Sequence, residues 1–319
     1  MKRLCLALAF LATSIAGACA QPYPNRPIKL IVPFEVGGTI DAVARLVAQG
    51  LSSRVGQNVI VENRPGAGAT IGLKAALGAS PDGYTLLVGS SGSLAINPAL
   101  YKKLDFTAAK TLVPIAALVT IPNVLGIATS LPATSVAEFV AYSKANPGKV
   151  SFGASLGSPP HLMGEYFRIK SGADMSYVPY KGSANAMTDL LGGRLQALTE
   201  SPATSLPLIH QGKVRPLVVT SEARLPELPD VPTLVEVGIH GYPAQTWMGM
   251  VAPPGTSSEI VSKLNAVVNN VLNGADTQAS LAKLGFTPKV GSAQNFATFI
   301  ASEVKNWAAV VETIGTQAD

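Results

Sequence analysis

Three stretches of this chain carry residue types at spacings that could do chemistry. In the first, Gly37-Gly38-Thr39-Ile40-Asp41 follows the apolar, β-branched run Ile28 to Val32 and Pro33. Strand, Gly-Gly turn and helix start together leave N–H groups unpaired at the positive end of a helix dipole, about half a unit charge, which suits an anionic group. Thr39 or Asp41 can cap that helix. Any α/β protein can place glycines at such a turn, so on these residues alone a purely structural loop stays open. In the second stretch, Gly66, Gly68 and Gly72 mimic a dinucleotide-binding fingerprint behind the strand Val59 to Glu62. That fingerprint needs an acidic residue ending the next strand to hold a ribose. The next strand, Tyr84 to Val88, ends instead in Gly89-Ser90-Ser91-Gly92-Ser93, which offers small hydroxyls and no acid. In the third, Gly153-Ala154-Ser155-Leu156-Gly157 satisfies the G-x-S-x-G pattern of a hydrolase nucleophile, with Asp189 and His210 downstream. A nucleophile elbow requires a helix directly behind the serine, and Gly157-Ser158-Pro159-Pro160 intervenes. Ser155 and Ser158 therefore read either as turn residues or as hydroxyl donors to a ligand, with a secreted serine hydrolase using Ser155 as the alternative.

Other chemistry is poorly provided for. His161, His210 and His240 lie far apart in the sequence and have no partner at metal-binding spacing, so no metal or cofactor is expected. His161 falls in the first turn of a helix facing the suspected cleft, where core, capping and ligand roles all remain open. The chain carries 24 Lys and Arg against 19 Asp and Glu, and the basic residues are scattered. Nucleic-acid binding is thus not expected.

These stretches need elements to hold them. Lys2 and Arg3, an apolar run from Leu4 to Ile15, and Ala18-Cys19-Ala20 make residues 1–20 a cleavable leader, so a periplasmic, secreted protein is expected. Cys19 leaves lipid anchoring as a second possibility. Cleavage after Ala20 removes both cysteines, Cys5 and Cys19, and with them any disulfide or thiolate site. The remaining 299 residues (319 less 20) suit two compact lobes. Three successive strand–helix units predict a parallel sheet with its ligand at the strands' carboxyl ends. Two apolar runs around Ile121-Pro122-Asn123 have no helix between them and mark a crossing to a second lobe. Trp247 to Ala252 marks the return, and the tail helices 257–272 and 296–314 would cover the first lobe. The resulting expectation is α/β, with lobe 1 from 21–122 and 246–319, lobe 2 from 123–245, and each sheet mostly parallel.

Read together, Tyr23-Pro-Asn-Arg-Pro-Ile28, Val32-Pro-Phe-Glu-Val-Gly-Gly-Thr-Ile-Asp41, Glu62-Asn-Arg-Pro-Gly-Ala-Gly68 and Pro81-Asp-Gly-Tyr-Thr-Leu-Leu87 resemble successive signatures of Bug-type solute receptors, the extracytoplasmic binding proteins of tripartite tricarboxylate transporters. His161-Leu162, Val178-Pro-Tyr-Lys-Gly182, Leu190-Leu-Gly-Gly193 and Pro229-Asp-Val-Pro-Thr233 extend the resemblance over the whole chain after the leader. The resemblance implies a two-lobed periplasmic-binding-protein, or Venus-flytrap, fold that closes on a small carboxylated metabolite without catalysing a reaction. It implies delivery of that metabolite to the membrane components of such a transporter, and a monomer is expected. Carried over residue by residue, it names Phe34, Gly37, Gly38, Thr39 and Asp41 on one lobe and Ser155, Gly157 and Ser158 on the other. Ser90, Ser91, His161 and Lys181 complete the candidate ligand-binding set. The sequence departs from the family pattern at Glu35-Val36, where small residues or proline are usual. A carboxylate there repels an anion unless it points to solvent or answers a donor on the ligand. Closure is expected to hinge near Ile121 to Val124 and Gln245 to Trp247.

Overall fold

The computed structural model describes residues 23–100, 111–180, 182–241 and 246–315; the expected leader, its cleavage point and Cys19 lie outside them. β1 (Ile28–Val32) is buried at all but one position and passes through a turn into α1 (Thr39–Val55). Val43, Ala44, Val47, Ala48 and Leu51 form the buried face of α1, the spacing of an amphipathic helix. Gly56, with φ 69°, ends it in the left-handed conformation that glycine adopts most readily. β2 (Val59–Asn63), α2 (Thr70–Leu77) and β3 (Thr85–Ser90) repeat the unit. Behind β3 the chain makes a π-type turn at Gly92–Ile96 that runs into α3 (Asn97–Leu100).

β4 (Val113–Ile121) then leads across Pro122-Asn123 into β5 (Val124–Ala128) and the second lobe. There the order is α4 (Val136–Ala145), β6 (Ser151–Ser155), α5 (Pro159–Ser171), β7 (Ser176–Tyr180), α6 (Ser183–Leu191), β8 (Ala197–Glu200), α7 (Pro202–His210) and β9 (Val214–Val219). The return is β10 (Thr246–Ala252), followed by α8 (Ser258–Leu272), α9 (Ala275–Ala282), β11 (Thr287–Pro288) and α10 (Ala293–Ile314). The two sheets are ordered β11-β4-β10-β3-β1-β2 and β7-β6-β8-β5-β9.

The expectation of mostly parallel sheets holds within the strand–helix units and not beyond them. β1 runs parallel to β2 and β3, and β6 parallel to β7 and β8. β10 runs antiparallel to β3 and β4, β11 to β4, and β5 to β8 and β9. β5 and β10 each start at the crossing and run away from it, opposite to neighbours whose carboxyl ends lie there.

Two features tie the lobes together. At the crossing, the Asn123 backbone N–H donates to Thr220 Oγ1 at 2.8 Å and its carbonyl accepts from Thr220 N–H at 2.9 Å. The Asn123 side-chain amide reaches Thr246 Oγ1 at 3.3 Å, so three chain passages meet at one buried asparagine. The second feature is α10, which covers the first sheet and also packs on α5. One apolar cluster runs from Ile31, Leu87 and Val251 through Trp307 to Leu125, Phe152 and Phe167. Within α10, the Glu303 carboxylate accepts from Trp247 Nε1 at 2.7 Å and Trp307 Nε1 at 3.0 Å. Burial pushes the Glu303 pKa up, and the two indole donors oppose that rise.

Candidate functional site

The turn after β1 is built by a buried carboxylate. Asp41, only 2% exposed, projects from the first turn of α1 back toward the chain that precedes it. Its Oδ2 accepts from Gly37 N–H and Arg45 Nε, both at 2.9 Å, and its Oδ1 accepts from Asn63 Nδ2 at 2.9 Å. The same Asn63 amide donates to the Phe34 carbonyl at 3.1 Å, locking the loop to the end of β2. Gly37 has φ +82°, which a β-carbon would oppose. Burial favours the neutral acid, but the Arg45, Gly37 and Asn63 hydrogen bonds outweigh it and hold the Asp41 pKa at about 2.

A second wall comes from the chain behind β2. Gly66, Ala67, Gly68 and Ala69 all have positive φ (117°, 47°, 60° and 77°). Two alanines in the left-handed region carry roughly 1–2 kcal/mol of strain each. The turn is held by Asn97, whose side-chain amide donates to the Gly68 carbonyl at 2.6 Å. At the end of β3, Ser93 Oγ accepts from Ser90 N–H at 2.9 Å and donates to the Ser90 carbonyl at 3.2 Å.

The second lobe supplies the tight turn between β6 and α5. Ser158 caps α5, its hydroxyl accepting from His161 N–H at 3.3 Å and donating to the Ser155 carbonyl at 2.7 Å. Gly157, at φ +73°, donates its N–H to His161 Nδ1 at 3.2 Å. The imidazole is 1% exposed and lies 4.1 Å, centroid to centroid, from the Tyr177 ring. Burial lowers its pKa to about 4, so at neutral pH it is an uncharged acceptor with its proton on Nε2.

These segments enclose a cavity of about 460 Å³, a size usual for small-molecule sites. Phe34, Ser90, Ser155, Gly157 and Ser158 line it, from both lobes. Gly37, Gly38, Thr39 and Asp41 do not; they form the loop and helix start that frame it, and the Asp41 carboxylate is engaged by protein groups. Ser91 and His161 are buried away from the cavity lining, and Lys181 lies outside the described residues. Sequence reasoning missed Ser93, Asn97, Ala69 and Thr246 as lining residues. Only Ser93 carried a signal, as the last residue of the Gly89-to-Ser93 run. A larger cavity of about 930 Å³ lies on the second lobe between α4 and the 230–239 segment, away from both loops.

Counting hydroxyl protons shows what the cavity can offer. Those of Ser93 and Ser158 are already donated to backbone carbonyls. Ser90 Oγ accepts from Ser93 N–H at 3.4 Å and Thr246 Oγ1 accepts from Asn123, and neither hydroxyl proton has an acceptor among the described residues. Ser155 Oγ has no partner among the described residues. Three neutral hydroxyl donors from both lobes and the crossing strand therefore face one space. No group of three or more metal-ligating side chains occurs among the described residues.

Nucleophilic chemistry is not assembled. α5 begins at Pro159, four residues past Ser155, so no helix forces the serine into an elbow. Asp189 is bonded to the Tyr180 hydroxyl and Arg194 Nε, both at 2.8 Å, and His210 is an exposed residue at the end of α7. His161, the nearest imidazole in sequence, uses its lone pair on the Gly157 N–H.

Comparison with known proteins decides the class. A family model described as "Tripartite tricarboxylate transporter family receptor" (TctC) matches residues 43–316. The chain belongs to that receptor family. Protein BugT of Bordetella pertussis is 38% identical over 312 residues, covering 97% of this chain and 96% of that protein. Among solved structures, R. palustris Rpa4515 with adipate superposes with a TM-score of 0.83 at 36% identity, over 92% of this chain and 98% of that one. MatC (Rpa3494) from Rhodopseudomonas palustris with bound malate gives 0.79 at 31%, over 91% and 100%. This TctC-family receptor is therefore a solute-binding protein of the two-lobed α/β class, and its relatives give the serine hydrolase alternative no support. No helix among the described residues is long and apolar enough to cross a membrane.

Proposed function

We propose that the cavity between the β1–α1 loop and the β6–α5 turn receives one carboxylate group of a small organic acid, which the receptor carries to the membrane components of a tripartite tricarboxylate transporter. The observation that carries this reading is the convergence of Ser90, Ser155 and Thr246 hydroxyl protons, none of them with an acceptor among the described residues, on one space bordered by a helix start. Neutral donors aimed at a carboxylate are worth about 1.5–3 kcal/mol each, so such a grip needs no salt bridge. The adipate and malate bound in the two related structures fit a ligand of this class. On this reading the protein acts as a monomer, is released to the periplasm by cleavage of residues 1–20, and uses 21–122 with 246–319 as one lobe and 123–245 as the other.

A thermal-shift screen over aliphatic mono-, di- and tricarboxylates, aromatic acids and amino acids tests the reading, because a ligand bound by the folded state alone raises the melting temperature. At one hundred times its dissociation constant a ligand adds about 2.7 kcal/mol, several degrees for a chain of this size. A screen in which no carboxylate shifts the transition, in folded protein freed of carried-over ligand, would overturn it.

Closure is the second expectation. The passage through Pro122-Asn123 is short, and Gln245 lies outside the described residues. Contacts made only when the lobes approach are what a ligand can use to shift the population. Small-angle scattering should therefore report a smaller radius of gyration at saturating ligand. An unchanged curve would mean a rigid cleft.

A further inference from the structure

The charge inventory of the cavity runs opposite to what a pure anion site would need. Among the described residues that line it, the only one with a formal charge is Glu35, and no Lys, Arg or His joins it. Glu35 is exposed, sits in the β1–α1 loop beside Phe34, and has no ion pair or hydrogen bond with any described residue. The two arginines of the adjoining elements, Arg45 and Arg64, are engaged elsewhere. Arg45 is held by Asp41 and Asn63, and Arg64 pairs with Glu62. The loop itself is pinned at Phe34 by the Asn63 amide and at Gly37 by Asp41, so Glu35 sits between two anchored positions. Phe34 also lines the cavity, and an aromatic ring attracts a cation placed over its face.

A plain dicarboxylate entering this space brings like charge toward a carboxylate with no partner among the described residues, which disfavours it. A ligand that also carries an ammonium group turns the same residue into an attractive partner, while its carboxylate still meets the neutral donors of Ser90, Ser155 and Thr246. Selectivity then comes from rejecting one class as much as from holding the other. Resting on the receptor reading above, we propose that Glu35 is a specificity-determining residue that selects amino-substituted carboxylates over their unsubstituted counterparts.

Matched pairs isolate the ammonium group: aspartate against succinate, glutamate against glutarate, and 2-aminoadipate against adipate, each titrated calorimetrically into wild type and Glu35→Gln. The substitution keeps the side chain's size and removes its charge, and melting temperatures of the two free proteins provide the folding control. The expected result is that at least one amino acid binds wild type ten-fold or more tighter than its unsubstituted partner, and that E35Q narrows this ratio to about three-fold or less. Equal or tighter binding of the unsubstituted acid by wild type, or a ratio that E35Q leaves intact, would overturn the assignment while leaving the receptor reading in place. Binding of neither series overturns it as well, and the wider carboxylate screen then judges the receptor reading on its own.

Discussion

Asp41→Ala should cost about 2–3 kcal/mol of folding stability and weaken ligand binding ten-fold or more, although the aspartate does not line the cavity. Truncation strands the Asn63 amide and the Gly37 N–H, the two anchors of the β1–α1 loop. Losing hydrogen bonds to a charged, buried acceptor has that magnitude. Arg45 is half exposed, so water replaces most of what it loses. Asp41→Asn separates charge from shape through its pH dependence. With a folded pKa of about 2 against 3.8 for an ordinary aspartate, the native state binds fewer protons than the unfolded chain between those values. The stabilisation is thus complete above about pH 4 and lost as pH falls through the folded pKa toward 2. Denaturant titrations should show wild type losing its advantage over D41N across that window. Indistinguishable midpoints for wild type and D41A at neutral pH would remove Asp41 from the loop's support.

Gly164→Ala should reverse the usual helix rule. In an exposed helix interior this change stabilises by roughly 1 kcal/mol. In α5 the added β-carbon would lie 2.2 and 2.5 Å from ring atoms of Phe152, which is fully buried in β6. Neither partner can retreat, because Phe152 also packs against Tyr177 with ring centroids 5.4 Å apart. The expected outcome is a net loss of about 2 kcal/mol. Because α5 and β6 flank the Ser155-to-Ser158 turn, affinity should fall as well. Phe152→Leu in the same chain should recover part of the stability, a non-additivity expected of touching residues. A stabilised G164A would show that the helix and strand can separate without penalty.

The strand–helix units were legible because β-branched runs, glycine turns and helical spacing all agree, as in Ile28 to Leu51. The antiparallel joins were not, since nothing in Val113 to Ala128 states which strands it will pair with or in which direction. The two loops that border the cavity could be located from Gly37-Gly38 and from Ser155 to His161. Which side chains line the cavity could not. Asp41 and His161 have the chemistry of ligand contacts, yet backbone N–H groups of their own loops claim them first. Ala67 and Ala69 gave no warning of a left-handed turn, because alanine avoids that conformation unless its surroundings impose it. Thr246 enters the cavity through the return of a strand more than 120 positions after Asn123, a proximity that only the folded topology creates.

The shared carboxylate of Glu303 gives the protein a built-in optical readout. The sequence has two tryptophans, and both indole N–H groups point at that one acid. Trp247 follows directly on Thr246 at the return crossing, while Trp307 stands on the helix that packs on both lobes. Indole emission responds to charge and hydrogen bonding at the ring nitrogen, so any rearrangement at the crossing reaches both fluorophores through a single group. Ligand titrations can then be followed in unlabelled protein, and Glu303→Gln marks which part of the signal travels by that route.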